Sequence, residues 1–318
     1  MPVGVIGLGK VGIGISSTLV EAGFDVVGYD LDESARDEAA SAGVEIAANN
    51  GVVAEQCDLI ILSLPHPDAS RAVVETLVEA GHPETDILDT STLSPLTARE
   101  LHDQAREAGM YYFDSPITGG EVGAKQGELT MMMGGDPERI EGHEAVLSTI
   151  AKAVYHIGDV GDAQFVKLIH NHVGQTTLVI FIEGCLLAEK YGVDPATLYR
   201  TLRHYTHIYD GKLNSFFSNE FPEDFEESFA LGEEDGLLRN RFNVDVAHKD
   251  LVELKSLADA YDSYLPLGNF VEQFHREGMN AGYGDRPHPD LLQLYAEMFD
   301  ADIESRPERR EKSAGRIL

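Results

Sequence analysis

Little in this chain supports thiol or metal chemistry. Its 318 residues include two cysteines and no tryptophan. Cys57 and Cys185 lie far apart and belong to no C-x-x-C pattern. That excludes a disulfide framework and a cysteine-built zinc site, and leaves two small buried hydrophobes in a reducing compartment. Basic residues are also few. Nine Lys and fifteen Arg stand against 55 Asp and Glu, a net charge of −31, and the acids are dispersed rather than gathered in one tail. A field this negative repels nucleic acid and anionic membranes, so neither is expected as a partner. No apolar run approaches the roughly 18 residues that would span a bilayer. The opening Met1-Pro2-Val3-Gly4-Val5-Ile6-Gly7 lacks the basic start of a signal peptide and reads as a strand that begins at once, so the expected location is the cytoplasm.

What is present is material for two cores. Hydrophobic residues make up 43% of the chain, and single cores rarely grow past about 250–300 residues. The first half alternates short apolar runs with helical patterns. Strands are expected at Val3–Leu8, Phe24–Tyr29, Leu59–Leu64, Ile87–Asp89, Tyr112–Asp114, Leu129–Met133 and Val154–Ile157, and a helix from Val11 to Ala22. This order predicts a mostly parallel, doubly wound α/β sheet of the Rossmann type over residues 1–160. Near Gly158 the pattern changes. One long helix is expected from Asp162 to Tyr191, forming the hinge, followed by helices alone over about 195–208, 242–263, 265–281 and 288–300. Residues 161–300 are therefore expected to form an all-α domain with enough apolar helical surface to allow self-association. The acidic, Gly- and Phe-rich stretch 220–237 reads as a loop or short helices, and 301–318 as a charged tail.

Gly7-Leu8-Gly9-Lys10-Val11-Gly12 is a G-x-G-x-x-G that follows the first strand and opens a helix, the context that gives the motif meaning. Gly7 permits a tight turn. Gly9 lets backbone N–H groups approach a pyrophosphate, and Gly12 lets helix and strand pack closely. Asp30 ends the second strand, where a carboxylate can accept from ribose hydroxyls and would repel a 2′-phosphate. No Arg follows at once; Leu31, Asp32 and Glu33 do. The expected cofactor is NAD, with NADP as the alternative. The bland reading of Asp30 is a cap for the next helix.

Two later segments carry more. One is Asp114-Ser115-Pro116-Ile117-Thr118-Gly119-Gly120-Glu121-Val122-Gly123-Ala124; the other is Gly158-Asp159-Val160-Gly161 followed by Lys167 and Asn171. Thr118-Gly119-Gly120 offers a hydroxyl and unobstructed N–H groups suited to a carboxylate. Lys167 and Asn171, at i and i+4, share a helix face. An ammonium there can supply a proton and stabilise developing oxyanion charge, and a neutral amine can serve as base in the reverse direction. With the N-terminal fingerprint, these segments resemble the β-hydroxyacid dehydrogenase family, which includes 3-hydroxyisobutyrate dehydrogenase and tartronate semialdehyde reductase. The resemblance runs over roughly residues 3–300.

It implies an oxidoreductase that moves a hydride between NAD(H) and a small β-hydroxyacid or its semialdehyde. Lys167 would be the general acid/base and Asn171 the amide that positions the substrate. Thr118, Gly119 and Gly120 would bind the substrate carboxylate. Leu64 and Pro65 would line the cofactor, Thr92 would lie near the nicotinamide ribose, and Lys249, in a late Lys249-Asp250 pair, would lie near the nicotinamide end. It also implies a homodimer or homotetramer. The family usually has Ser where this chain has Thr118, which adds a methyl beside the carboxylate pocket and puts the substrate's identity in question.

Rival readings remain on the same residues. His170, three after Lys167, is an alternative acid/base with a better unperturbed pKa. His170 and His172 point to different helix sides, and His204 and His207 lack a third ligand, so no metal is expected. Met131-Met132-Met133 reads as core. A short 6-phosphogluconate dehydrogenase would need a basic phosphate pocket. An imine reductase commonly lacks the lysine. A non-enzymatic dinucleotide-binding module would have lost it.

Low lysine with dispersed acids resembles proteins of salt-accumulating halophiles, in which salt screens self-repulsion. The melting temperature is expected to rise between roughly 0.1 M and 2 M KCl, a range over which screening changes greatly; an unchanged value would dismiss this.

Overall fold

The computed structural model describes residues 2–195, 197–198, 201, 243–263 and 265–299. Most of the expected helix over 195–208, the acidic stretch 220–237 and the charged tail lie outside these residues. The described residues form two compact units divided between Ile169 and His170.

In the first unit the strands are β1 (Val3–Ile6), β2 (Val26–Tyr29), β3 (Glu45–Ile46), β4 (Leu59–Leu62), β5 (Asp86–Asp89), β6 (Tyr111–Asp114), β7 (Ile117–Thr118), β8 (Leu129–Gly134) and β9 (Ala151–Gly158). The first six lie in the order β3-β2-β1-β4-β5-β6, all parallel. This is the doubly wound arrangement expected from the sequence. β8 then pairs antiparallel with β6 and β7, and parallel with β9.

The central strands β1 and β4 are unbroken apolar runs because both faces of the sheet are buried there. Side chains alternate between two cores. Val3, Val5, Leu59, Ile61, Leu88 and Phe113 pack on one face, against α1 (Lys10–Glu21), α2 (Glu33–Ser41) and α8 (Glu144–Ile150). Ile6, Ile60, Leu62, Ile87 and Tyr112 pack on the other, against α3 (Asn50–Gln56), α4 (Pro67–Ala80) and α5 (Pro95–Glu107). Met131 and Met133 are fully buried in the first core, as expected. Two short helices, α6 (Gly120–Lys125) and α7 (Pro137–Glu141), complete the unit.

The differences from the sequence reading are local. β3 and β7 are two residues each, too short to leave a period-two signal. β1 stops at Ile6 because Gly7 turns the chain with φ of +88°. Cys57 and Cys185 are buried thiols, and desolvation raises them to about 11 and about 12.

A single helix, α9 (Asp162–Tyr191), runs across the division. The second unit adds α10 (Val244–Ala260), α11 (Pro266–Asn280), a 3₁₀ turn (His288–Asp290) and α12 (Leu291–Met298). Its core joins Leu178, Phe181, Ile182 and Cys185 of α9 to Val244, Leu291, Leu294 and Tyr295. No helix among the described residues is long and apolar enough to cross a membrane.

This unit buries two histidines against each other. The Nε2 atoms of His275 and His288 are 2.5 Å apart, and His275 Nδ1 lies 2.7 Å from the Val271 carbonyl. A carbonyl only accepts, so His275 carries its proton on Nδ1 and accepts at Nε2, and His288 donates. Burial pushes His275 down to about 4 and His288 further below its ordinary range. In the unfolded chain both take up protons near pH 6.5. Their contribution to stability is therefore full above about 6.5 and is lost as pH falls toward 4, by about 3 kcal/mol for His275. Urea unfolding of the helical unit, followed by hydrogen exchange, is expected to show this acid loss, and a His275→Gln/His288→Gln variant to show a flatter slope over the same range.

Candidate active site

The glycine turn is built as its spacing requires. Gly7 has the left-handed φ noted above, and a side chain there would run into the Ser63 carbonyl. At Gly12 a Cβ would run into the Gly7 carbonyl, so helix and strand can approach only at a glycine. Gly9 is the opposite case. A Cβ there would meet nothing within 4 Å. Gly9 and Lys10 are exposed. Gly9 caps α1 with no side-chain hydrogen bond, so the first-turn N–H groups face an open approach. That cradle fits a diphosphate. Leu8 and Val11 contribute backbone here; their side chains pack in or against the core.

Asp30 closes the turn from the end of β2. Its Oδ2 accepts the Leu8 N–H at 2.6 Å and its Oδ1 the Asp32 N–H at 2.9 Å. The cap of α2 is Asp32, which accepts from Ser34 N–H, so Asp30 does not serve as that cap. Arg36 turns back toward this edge, and its Nη1 donates to the Asp30 and Leu31 carbonyls at 2.7 and 2.9 Å.

Beside this turn the loops after β4 and β5 are tied together. Leu64 N–H donates to Ser91 Oγ at 2.9 Å. Asp89, wholly buried, accepts from Ser91 N–H at 2.9 Å and from the Tyr112 hydroxyl at 3.0 Å. Pro65 is exposed, and Leu64 and Thr92 are half-buried. Thr92 sits between two residues clamped by Gln164 of α9. Gln164 Nε2 donates to the Ser91 carbonyl at 2.8 Å, and its Oε1 accepts the Leu93 N–H at 2.9 Å.

Thr118 lies in β7 opposite Thr130 of β8. The next two residues have φ of +120° (Gly119) and +58° (Gly120), values that side-chain-bearing residues rarely adopt. All three are half-buried. Lys167 stands one turn beyond Gln164 on α9 and is 9% exposed. In the second unit, Asn171 Nδ2 donates to Asp250 Oδ2 at 2.7 Å, and Lys249 Nζ lies 3.3 Å from Asp250 Oδ1. Lys249 is thus paired with its neighbour, as the bland reading of that dipeptide allows. His170 is half-buried on α9; His204 and His207 fall outside the described residues. Among those residues, no cluster of three or more His, Cys, Asp or Glu is placed to hold a metal ion.

Comparison with known proteins adds to this geometry. Residues 2–158 match the family model of the NAD-binding domain of 6-phosphogluconate dehydrogenase. Residues 161–295 match that of the NAD-binding domain of NADP-dependent 3-hydroxyisobutyrate dehydrogenase. An uncharacterized oxidoreductase of Synechocystis is 32% identical over 93% of this chain and 98% of its own. The chain belongs to the β-hydroxyacid dehydrogenase family. As a member of it, the protein is an NAD-binding dehydrogenase that acts on CH–OH groups. Among relatives of this family, the NAD-dependent L-serine dehydrogenase of Pseudomonas aeruginosa is 28% identical over 91% of this chain and 96% of its own. The structure of Mycobacterium tuberculosis 3-hydroxyisobutyrate dehydrogenase with L-serine superposes with a TM-score of 0.79 at 26% identity, covering 92% of this chain and 98% of that one.

Several residues of this dehydrogenase were not singled out from sequence. Gln164 and Ser91 each act through a partner at least 27 positions away, and no local pattern marks them; Asp250 stands in the sequence only as the neighbour of Lys249, and its contact with Asn171 spans 79 positions. Asp114 was visible only as the start of a motif.

The glycines separate folding from binding. Gly9→Ala is expected to keep the melting temperature and to weaken NAD binding by about tenfold or more, since about 1.4 kcal/mol of lost contact gives a factor of ten. Gly12→Ala is expected to destabilise the first unit by about 1–3 kcal/mol through overpacking. Calorimetry and fluorescence titration read both; equal effects of the two variants on stability would refute the distinction.

Proposed function

We propose that this dehydrogenase interconverts a small β-hydroxyacid and its oxo form with NAD, with Lys167 as the proton-transfer group. The observation that carries the reading is the burial of Lys167 on a helix turn tied through Gln164 to the Thr92 loop. A surface lysine has no need of such fixing.

The Gly7–Gly12 turn and Asp30 would hold the dinucleotide, with Leu64, Pro65, Thr92 and Lys249 toward its nicotinamide end. When bound, NAD supplies the hydride acceptor, and its reduced form the donor. Thr118 Oγ1 and the Gly119 and Gly120 N–H groups take the substrate carboxylate. Asn171, its amide nitrogen given to Asp250, keeps its oxygen for the substrate. In reduction the Lys167 ammonium gives its proton to the carbonyl oxygen; in oxidation the neutral amine takes the hydroxyl proton. Asp30 favours NAD because its carboxylate repels a 2′-phosphate.

The substrate class is a three- or four-carbon acid of the 3-hydroxyisobutyrate or tartronate semialdehyde type. The L-serine dehydrogenase relative supports L-serine as a member of it, and the Thr118 methyl favours the smaller acids. On α9, Phe165, Ile169, Val173, Ile180, Leu187 and Tyr191 are exposed at helical spacing. This apolar stripe supports assembly as a homodimer or homotetramer.

The test is absorbance at about 340 nm, where reduced nicotinamide absorbs. 3-Hydroxyisobutyrate, D-glycerate, L-serine and 6-phosphogluconate would be offered with NAD and NADP, in high KCl, and light scattering of the same sample would give the subunit count. NAD-linked turnover of a β-hydroxyacid is expected, with Lys167→Ala binding NAD but losing at least about 10²-fold in kcat, the low end for acid–base catalysis. Turnover retained without Lys167 would overturn the mechanism.

A further inference from the structure

We infer that Asp114 is a positioning residue: from the end of β6 its carboxylate caps the first turn of α9 and sets where Lys167 stands relative to the Thr92 loop. The inference rests on the reading of Lys167 as the proton-transfer group.

Asp114 is wholly buried. Its Oδ1 accepts the Gly161 N–H at 3.0 Å and its Oδ2 the Gln164 N–H at 2.9 Å. The first N–H groups of a helix lack partners within it, and a carboxylate suits the positive end of the helix dipole. Such a cap normally comes from the residue just before the helix. That residue here is Gly161, with φ of +98° and no side chain, so the cap arrives from 47 positions away. Room for it is left by Gly134 of β8, where a side chain would run into the Asp114 carboxylate.

A local cap would have served stability alone; this one makes a connection. Four residues after Asp114 the chain reaches Thr118. Three residues after Gln164, one helix turn on, it reaches Lys167. The Gln164 side chain holds both neighbours of Thr92. One carboxylate thus joins the carboxylate-binding turn, the lysine helix and the nicotinamide loop within the first unit.

Burial raises the Asp114 carboxyl to about 6, against the lowering effect of the two N–H bonds. Its titratable neighbours are Asp162, Tyr112 and Asp89, the residue beside it on β5. The nearby cation is Arg99, which pairs with Asp162 at 3.3 Å and donates to the Val160 carbonyl. Ionised above pH 6, both Asp114 oxygens accept; protonated below it, one becomes a poor acceptor and the cap loosens.

Asp114→Asn keeps the shape and turns one acceptor into a donor that faces an N–H. In the reduction direction Lys167 acts as an ammonium, so acid does not disable it, and a fall in kcat through about pH 6 that is present in the wild type and absent in Asp114→Asn reports Asp114. The wild type is expected to show this fall. In Asp114→Asn kcat is expected to be roughly tenfold to hundredfold lower, as for misplaced catalytic groups, with no inflection near 6, unchanged NAD affinity and faster hydrogen exchange at Gly161 and Gln164. A variant with wild-type kcat and pH profile, or with unchanged exchange at those two amides, would overturn the inference. Should Asp114→Asn fail to fold, the wild type decides: protection of Gly161 and Gln164, relative to neighbouring amides, must drop between pH 7 and 5, and equal protection refutes the cap. Retained turnover in Lys167→Ala would remove the reading of the lysine, while exchange at these amides still decides the cap.

Discussion

The working edge of this protein depends on carboxylates placed where strands end. A parallel sheet delivers the ends of its strands to one side, where the chain must turn and backbone groups lose their ladder partners. Asp30 follows β2, Asp89 closes β5 and Asp114 closes β6. Each accepts a backbone N–H from a segment beyond the strand: Leu8 and Asp32, Ser91, and Gly161 with Gln164. Asp89 and Asp114 are held above the usual carboxylate range by burial. Desolvation is therefore a real cost at both, offset by hydrogen bonds to charge of about 1.5–3 kcal/mol each. In return, loops that would otherwise be mobile become fixed relative to the sheet.

This arrangement explains which features could be read from the sequence. The glycine turn was readable because its constraints are local: Gly7 needs a left-handed φ, and Gly12 must meet the Gly7 carbonyl within six residues. The apolar runs of β1 and β4 were readable because burial on both faces admits no polar residue. β3 was not, since Glu45–Ile46 is a two-residue edge strand with an exposed Glu. Gln164 was not readable either: a helical glutamine is ordinarily a solvated one, and its side-chain partners lie more than 70 positions away. Asp250 appeared only as the neighbour of Lys249, whereas its contact with Asn171 spans 79 positions. What the sequence conceals is the set of polar contacts between elements, which have no period and no fixed spacing.

Net charge sharpens the demand on those contacts. The proposed carboxylate substrate and the dinucleotide are both anions, and the chain carries −31. At low ionic strength its field opposes their approach. In the proposed site, binding would then come from short-range donors: the N–H groups of Gly119 and Gly120, the first turn of α1, and Lys167. Salt at about 1 M shortens the screening length to about 3 Å, which removes the long-range repulsion but leaves contacts at hydrogen-bond distance nearly intact. A strongly acidic surface and an anion-binding site are therefore compatible when the site consists of backbone groups held rigidly, because their direction, rather than any pool of positive charge, supplies the attraction. Rigid backbone donors in turn require buried acceptors that hold the turns in place, and the strand-end carboxylates fill that role from within an already acidic chain.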